Sequence, residues 1–140
     1  MLKAVQMSEV IQMTVKVDNV ADAVHQIIEQ YFDNVASESN ELVAQTAAET
    51  VQELSRYNGK YATGKYASSW RVKQTARSKK SNEVVVYNTK AGLTHLLEHG
   101  HIKVVHGKVL GFTAARPHIA SAEQHAIRKL TDGIERIAKQ

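Results

Sequence analysis

Two histidines and a glutamate lie within five residues near the middle of the chain. The stretch HLLEH places His95, Glu98 and His99 at the H-x-x-E-H spacing, which is the inverted zinc-hydrolase pattern. Side chains four residues apart on a helix lie on one face, so both imidazoles could bind the same ion with the carboxylate beside them. The first hypothesis is therefore a small zinc-dependent hydrolase that uses these three residues.

The rest of the sequence gives this hypothesis little support. A catalytic zinc needs three protein ligands and an open position for water, and the spacing singles out no third ligand among His101, His106, His118 and Glu123. The pentapeptide has two unrestricted positions, and a chain of 140 residues has little room to enclose a peptide substrate. Cysteine, a glycine-rich phosphate loop and a G-x-S-x-G elbow are all absent from the sequence. We therefore expect no enzyme, no catalytic or metal site and no cofactor, while adventitious metal binding by the clustered histidines stays open.

A mild basic excess raises a second hypothesis, a weak DNA-binding module. The net charge is +4, the pI is about 9.3, and seven histidines add charge at low pH. Arg77, Lys79 and Lys80 lie at the tip of a predicted hairpin, where they could contact nucleic acid or simply be solvated. Gln6 and Glu9 interrupt the apolar run that a signal peptide needs, and no stretch approaches the length of a membrane span. We therefore expect the protein to be made and kept in a cytoplasm, without a membrane.

A long amphipathic pattern dominates the first half of the chain. Residues 20–55 are predicted to be helical, either continuously or as two helices joined at SESN, with Asp18 or Asn19 as the N-cap. A continuous helix would span roughly 50 Å, which is too long to bury its whole apolar stripe against one small sheet. The stripe therefore predicts a subunit contact at Val24, Ile27, Ile28 and Tyr31. Residues 1–12 are expected to form a loosely ordered extension.

Shorter elements are predicted for the second half. Residues 70–88 alternate as two strands of an antiparallel hairpin, and residues 92–99 form a two-turn helix that stops at Gly100. Residues 101–112 are a second hairpin or a mobile loop, and a last helix begins near Pro117. The order predicts one α+β domain with a long N-terminal helical region, a small antiparallel sheet of about three to four strands, a short central helix and a C-terminal helix.

Three stretches together resemble one family. They are TGKYASSWRVK, VVYNTKAGLTHLLEHGH and ARPHIASAEQHA, and they resemble the tail-component family of long-tailed double-stranded DNA bacteriophages and prophages, the neck or head–tail joining proteins. The resemblance covers about residues 18–140 in the same order and at compatible spacing. The family-motif positions are Thr63, Gly64, Tyr66, Ser69, Trp70, Tyr87, Asn88, His95, Leu96, Leu97, Glu98, Gly100, His101, Pro117, His118 and Ile119.

The resemblance implies a structural role for the central motif. His99 stands at a position that varies in the family, so the H-x-x-E-H match is interpreted as accidental. Leu96 and Leu97 would then pack on the sheet, Gly100 would end the helix, and His95 or Glu98 would satisfy buried or interfacial polar groups.

The implied function is tail completion at the junction of head and tail. The protein would be a virion component, present in the host cytoplasm during assembly, that forms a ring of identical subunits, for which a hexamer is the number considered. Its partners would be a head-connector or head-closure protein on one face and a tail-terminator or tail-tube protein on the other. DNA would pass through the ring without specific binding.

Overall fold

The computed structural model describes residues 16, 19–57 and 64–140 in full, and the backbone alone of residues 3–7 and 10–14. Its strands are β1 (Lys3–Met7), β2 (Val10–Thr14), β3 (Trp70–Arg77), β4 (Asn82–Asn88), β5 (His101–Val105) and β6 (Lys108–Thr113). Its α-helices are α1 (Val20–Ser55), α2 (Ala91–His99) and α3 (Ile119–Ala138), and a 3₁₀ turn covers Ala67–Ser69. The α+β prediction is confirmed.

The strands pair two by two in antiparallel hairpins, β1 with β2, β3 with β4 and β5 with β6. The sequence favoured one small sheet, but α2 separates the second hairpin from the third, and no ladder joins these two pairs. Most of the predicted extension lies in β1 and β2, while residues 1, 2, 8 and 9 lie outside the described residues. The candidate N-cap Asp18 and the motif residue Thr63 also lie outside them.

Helix α1 is continuous over its 36 residues, which corresponds to roughly 54 Å. It packs against α3, and the partners run in opposite directions. The ring of His125 lies 2.8 Å from Glu53, a Cβ on Gly133 would meet Leu42, and the Tyr31 hydroxyl donates to the carbonyl oxygen of Ala138 at 2.7 Å. The two helices are therefore antiparallel, and residues 20–30 of α1 lie on the N-terminal side of the Tyr31 bond.

The core lies at the C-terminal end of α1. Leu54, Tyr66, Trp70 and Ala122 form its buried centre. Around them pack the half-buried residues Val51, Tyr57, Val86, Leu97 and Ile119. Burying a large apolar side chain contributes about 1.5–3 kcal/mol to the stability of the folded state. This cluster joins α1, α2, α3 and the β3–β4 hairpin, so it holds the fold together.

Strand β4 has the alternation expected of a half-buried strand. Val84 and Val86 are partly buried on one face, while Glu83, Val85 and Tyr87 are exposed on the other. Asn88 ends the strand and is buried. The hairpin therefore covers α1 with one face and leaves an apolar pair on its outer face.

Residues 101–113, here called the arm, form a hairpin beyond α2. Its turn places His106 at φ 48° and Gly107 at φ 75°, and two positive φ values are the signature of a type I′ turn. The ladder has an irregularity between Lys103 and Val104 that leaves Leu110 without a cross-strand partner. The alternative of a hairpin or a mobile loop is thus settled as a hairpin.

Within the described part of the chain, no helix combines the length and the apolar character that crossing a bilayer requires.

Candidate functional site

Glu98 caps the N-terminus of α3 from twenty residues away. Its Oε2 accepts from the backbone N–H groups of His118 at 2.9 Å and Ile119 at 3.1 Å, and its Oε1 accepts from Ala120 at 3.0 Å. The N-cap residue of α3, His118, makes no side-chain capping bond of its own. A carboxylate at this position satisfies three amide donors that the helix cannot pair and complements the positive end of the helix dipole. Glu98 therefore fixes where α3 begins relative to α2.

His118 occupies a cage of aromatic rings beside this carboxylate. Its ring centroid lies 4.3 Å from that of Tyr57, 5.6 Å from that of Tyr66 and 6.5 Å from that of Trp70. Its Nδ1 lies 2.9 Å from the carbonyl oxygen of Arg116 and 3.2 Å from Glu98 Oε2. Because both neighbours only accept, Nδ1 carries a proton, and in the neutral ring Nε2 accepts from the Tyr66 hydroxyl at 2.9 Å. The motif histidine thus joins the core to the cap.

Glu98 and Tyr66, the two ionisable groups bonded to His118, have pKa values shifted from their ordinary ones. Burial disfavours the ionised Glu98, but the three backbone N–H donors and nearby His118 outweigh it, so that the pKa of Glu98 is lowered. Burial, then the neighbouring Tyr57 and Glu98, raise the pKa of Tyr66 to about 12. Glu98 is therefore held as a carboxylate and Tyr66 as a phenol.

Asn88 and Gly64 fix the entry to strand β3. The buried Asn88 donates from Nδ2 to the carbonyl oxygen of Tyr66 at 3.0 Å, and its Oδ1 accepts from the N–H of Lys90 at 2.8 Å. Gly64 has φ 78°, and its carbonyl oxygen accepts from the N–H of Ser68 at 3.0 Å. These bonds hold the end of β4 against the turn before Trp70. Gly64 and Asn88, which come from two different motif stretches, therefore stabilise the same local structure.

Gly100 ends α2 at a position that only glycine fits. Its φ is 75°, and an added Cβ would lie 2.6 Å from the carbonyl oxygen of Thr113 and 2.9 Å from the backbone nitrogen of Ala115. The N–H of Arg116 also donates to the carbonyl oxygen of Leu97 at 2.7 Å. Both ends of the arm are therefore held close together against the C-terminal end of α2.

The remaining motif residues have less buried positions. Leu97 packs against the core, but Leu96 is exposed, because consecutive helical residues point about 100° apart. This corrects the expectation that both leucines pack on the sheet. His101 is partly buried at the start of β5, and its Nδ1 has no hydrogen-bond partner among the described residues. Pro117 is exposed just before the N-cap.

The HLLEH stretch does not converge on an ion site. His95 and His99 are exposed, with ring centroids 4.8 Å apart, whereas both oxygens of Glu98 accept from the start of α3. Among the described residues, no group of three or more His, Asp or Glu side chains is arranged to hold a metal ion. Of the two residues expected to satisfy buried polar groups, Glu98 does so, while His95 lies on the surface.

The basic hairpin tip is tied to α1. Asn40 donates from Nδ2 to the carbonyl oxygens of Ser78 at 3.3 Å and Lys79 at 3.4 Å, and Asn82 donates back to the carbonyl oxygen of Asn40 at 3.0 Å. Beside this contact is a cleft of about 850 Å³. Its charged lining residues are Asp33, Glu41, Arg77 and Lys79, whereas Lys80 lines the neighbouring cleft. Carboxylates share the surface with the candidate phosphate contacts.

The predicted subunit contact on α1 divides into two parts. Val24 and Ile28 are exposed, whereas Ile27 and Tyr31 are partly buried and Tyr31 bonds to α3. The exposed residues belong to a longer row at a spacing of four, here called the α1 stripe. The stripe consists of Val20, Val24, Ile28 and Phe32, which are 44% to 58% exposed.

The arm carries the four most exposed large apolar side chains among the described residues. Ile102, Val104, Val109 and Phe112 are between 57% and 70% exposed, and Leu110 lies in the same range. The sequence predicted a hairpin or a mobile loop here and no contact, although alternating apolar residues without aspartate or glutamate among residues 101–113 were a usable signal. The same reasoning missed Phe32 at the C-terminal end of the α1 stripe.

Comparisons of this chain with protein-family models, with curated proteins and with solved structures find no match.

Proposed function

We propose that this chain is a structural virion protein of the phage neck or tail-completion type. It assembles as a ring of identical subunits at the head–tail junction and joins the tail to the DNA-filled head. The proposal starts from the family resemblance of residues 18–140, and the local structure of the motif residues agrees with it.

The observation that carries the proposal is the amount of large apolar side chain on the surface. The α1 stripe, the arm and the outer face of β4 leave valine, isoleucine, leucine and phenylalanine side chains exposed in contiguous groups. Contiguous apolar surface on a small chain marks contacts with other proteins, because single exposed residues are ordinary whereas patches are not. Several separate patches suit a subunit that contacts both its own copies and unlike neighbours.

The motif residues support a building-block role over a catalytic one. Trp70, Leu97 and His118 lie in or around one core, and Glu98 connects that core to α3. Motif residues that serve a structural role are expected to contact the core or to hold one element against another, and these residues do so. Specific DNA binding is not part of the proposal, because Asp33 and Glu41 share the cleft with Arg77 and Lys79.

Heads and tails produced without this protein test the proposal. Adding the purified protein should join them into complete particles, which negative-stain electron microscopy counts directly. The protein should also be found by mass spectrometry in purified virions, at a copy number that fits a ring. Heads and tails that join equally well in its absence would contradict the proposal.

A further inference from the structure

The arm is amphipathic, with one apolar face. Ile102 pairs with Phe112 and Val104 pairs with Val109. Cross-strand partners share a face of the ladder, so these four side chains form one continuous exposed surface. The opposite face carries the pairs His101 with Thr113, Lys103 with Gly111 and Val105 with Lys108. An isolated two-stranded hairpin is marginal in water, so an arm of this kind gains stability when its apolar face is covered.

The α1 stripe offers an apolar surface of matching length. Its four residues span twelve positions, or roughly 18 Å of helix, and an arm strand of six residues spans roughly 20 Å. Next to Phe32 a cleft of about 630 Å³ opens, with Val35 and Ala36 in its lining. The stripe therefore ends at a concavity that can receive a protruding side chain.

The charges of the two surfaces are complementary. Residues 101–113 contain two lysines, Lys103 and Lys108, and no aspartate or glutamate. Residues 20–41 contain no lysine or arginine, and their acidic residues are Asp22, Glu29, Asp33, Glu38 and Glu41, which outnumber Lys80 at the cleft beside Phe32. Opposite charge on two apolar surfaces steers them together and disfavours the pairing of like with like.

The two surfaces of one copy cannot meet each other. The arm follows α2, whose Leu97 packs against the core around Leu54, whereas Ile28 lies 26 residues before Leu54 on α1. That separation is roughly 39 Å along α1, about twice the reach of the arm. A contact between the two surfaces must therefore join different copies.

We propose that the arm of one copy docks through its apolar face on the α1 stripe of the next copy. The contact is heterologous, because the two partners use different surfaces, and repeated contacts of this kind close into a ring when the rotation permits. The inference rests on the proposed function in one respect, since it supplies the contact that would build the ring.

Two complementary variants test the contact. Val104→Asp places a charge on the arm and leaves the stripe intact, and Ile28→Asp places a charge on the stripe and leaves the arm intact. Both positions are exposed, so each variant should keep the wild-type circular dichroism spectrum. Each variant alone should lose the wild-type oligomer and sediment as a monomer. An equimolar mixture should form a heterodimer through the intact arm of Ile28→Asp and the intact stripe of Val104→Asp. This dimer should grow no further, because the arm and the stripe that it leaves free are the two spoiled ones. Ile127→Asp, at an exposed apolar position of α3, serves as the matched control and should keep the wild-type oligomer.

Engineered cysteines locate the contact, since the chain has no native cysteine. Val104→Cys protein mixed with Ile28→Cys protein should form a disulfide-linked dimer under mild oxidation, and the double variant should form a ladder of covalent oligomers. Val85→Cys, on the outer face of β4, should give no comparable dimer with Ile28→Cys. Raising the salt concentration should slow association in every productive pair.

The outcomes separate this inference from the proposed function. Oligomers that form without the heterodimer and without the 28–104 disulfide would overturn the inference, whether a different protein or the N-terminal hairpin of the same chain covers the stripe. Failure to join heads and tails, with the disulfide formed, would overturn the proposed function and leave the contact standing. A wild type that stays monomeric at high concentration, together with no disulfide between the Val104→Cys and Ile28→Cys proteins, would also refute the docking.

Discussion

Replacing Glu98 by glutamine keeps the side-chain volume and removes the charge of the α3 cap. The amide oxygen can accept two of the three backbone bonds, but the NH₂ group then faces the third N–H. Leaving one such donor unpaired costs about 1–3 kcal/mol, and losing a negative charge at a helix N-terminus costs about 0.3–1 kcal/mol or more when partly buried. We expect the free energy of unfolding to fall by about 2–4 kcal/mol, with a melting temperature lower by on the order of 10 °C.

Urea unfolding at several pH values measures this effect and its cause. The pKa of Glu98 lies below its ordinary value of 4.5, so the carboxylate stabilises the fold above about pH 4.5 and this contribution is lost as the pH falls through the folded-state pKa. The gap between wild type and Glu98→Gln should therefore be widest near pH 7 and narrow below pH 4.5. Below about pH 4.5, the free energy of unfolding of the variant should change less with pH than that of the wild type.

Glu123→Gln is the matched control, because this exposed glutamate lies on the same helix. Its stability should stay within about 0.5 kcal/mol of wild type, as is usual for surface substitutions. Equal stability of Glu98→Gln and wild type at pH 7, or a gap that does not change on acidification, would refute the capping argument.

Three further substitutions and one control address other residues around the α3 cap and the core. Gly100→Ala forces a side chain into a positive-φ conformation against backbone atoms and should cost roughly 2–5 kcal/mol in urea unfolding, whereas Gly92→Ala, with open space in helix α2, should stabilise by up to about 1 kcal/mol. Tyr66→Phe loses the bond to His118 and should be less stable at pH 7. Burial raises the pKa of Tyr66 to about 12, so the wild type loses stability as the pH rises between 10 and 12, whereas the phenylalanine variant does not. The deficit of the variant should therefore shrink or reverse in that range, and an unchanged deficit would contradict this. Asn88→Asp replaces a buried donor by an acceptor facing a carbonyl oxygen and should lower stability by about 2 kcal/mol at neutral pH, with partial recovery when the new carboxyl is protonated; an unaffected melting temperature would show that the amide bond is dispensable.

The local elements of this chain could be predicted because their signals are local. Residues 20–55 have helical periodicity on both sides of SESN, which predicted helix but left its continuity open, and the structure shows one helix without a break there. Strand β4 alternates at a period of two, and Gly100 stops α2 as a glycine at a helix end does. Each of these patterns is complete within a few turns or strand residues.

The contacts across the fold could not be predicted in the same way. Glu98 and Ile119 lie 21 residues apart, and no spacing rule connects a carboxylate to a helix start across a hairpin. The family resemblance marked Glu98, Gly100 and His118 as a set, but it did not show which atoms they contact. The pairing of strands into separate hairpins depends on where α2 lies, and this too is decided by packing rather than by the pattern of each strand.

The closed base of residues 101–113 determines how this segment would carry mechanical load. The hairpin starts just after Gly100 and ends just before Arg116, whose N–H donates to the carbonyl oxygen of Leu97. Its two ends therefore lie side by side between α2 and α3. A force applied at the turn of the hairpin would act on both of its ends together. It would be transmitted to α3 through the hydrogen bonds of the Glu98 carboxylate, and from α3 to α1 through their antiparallel packing. A force on the hairpin would therefore be shared between α3 and the part of α1 that contacts α3, from Tyr31 to Glu53.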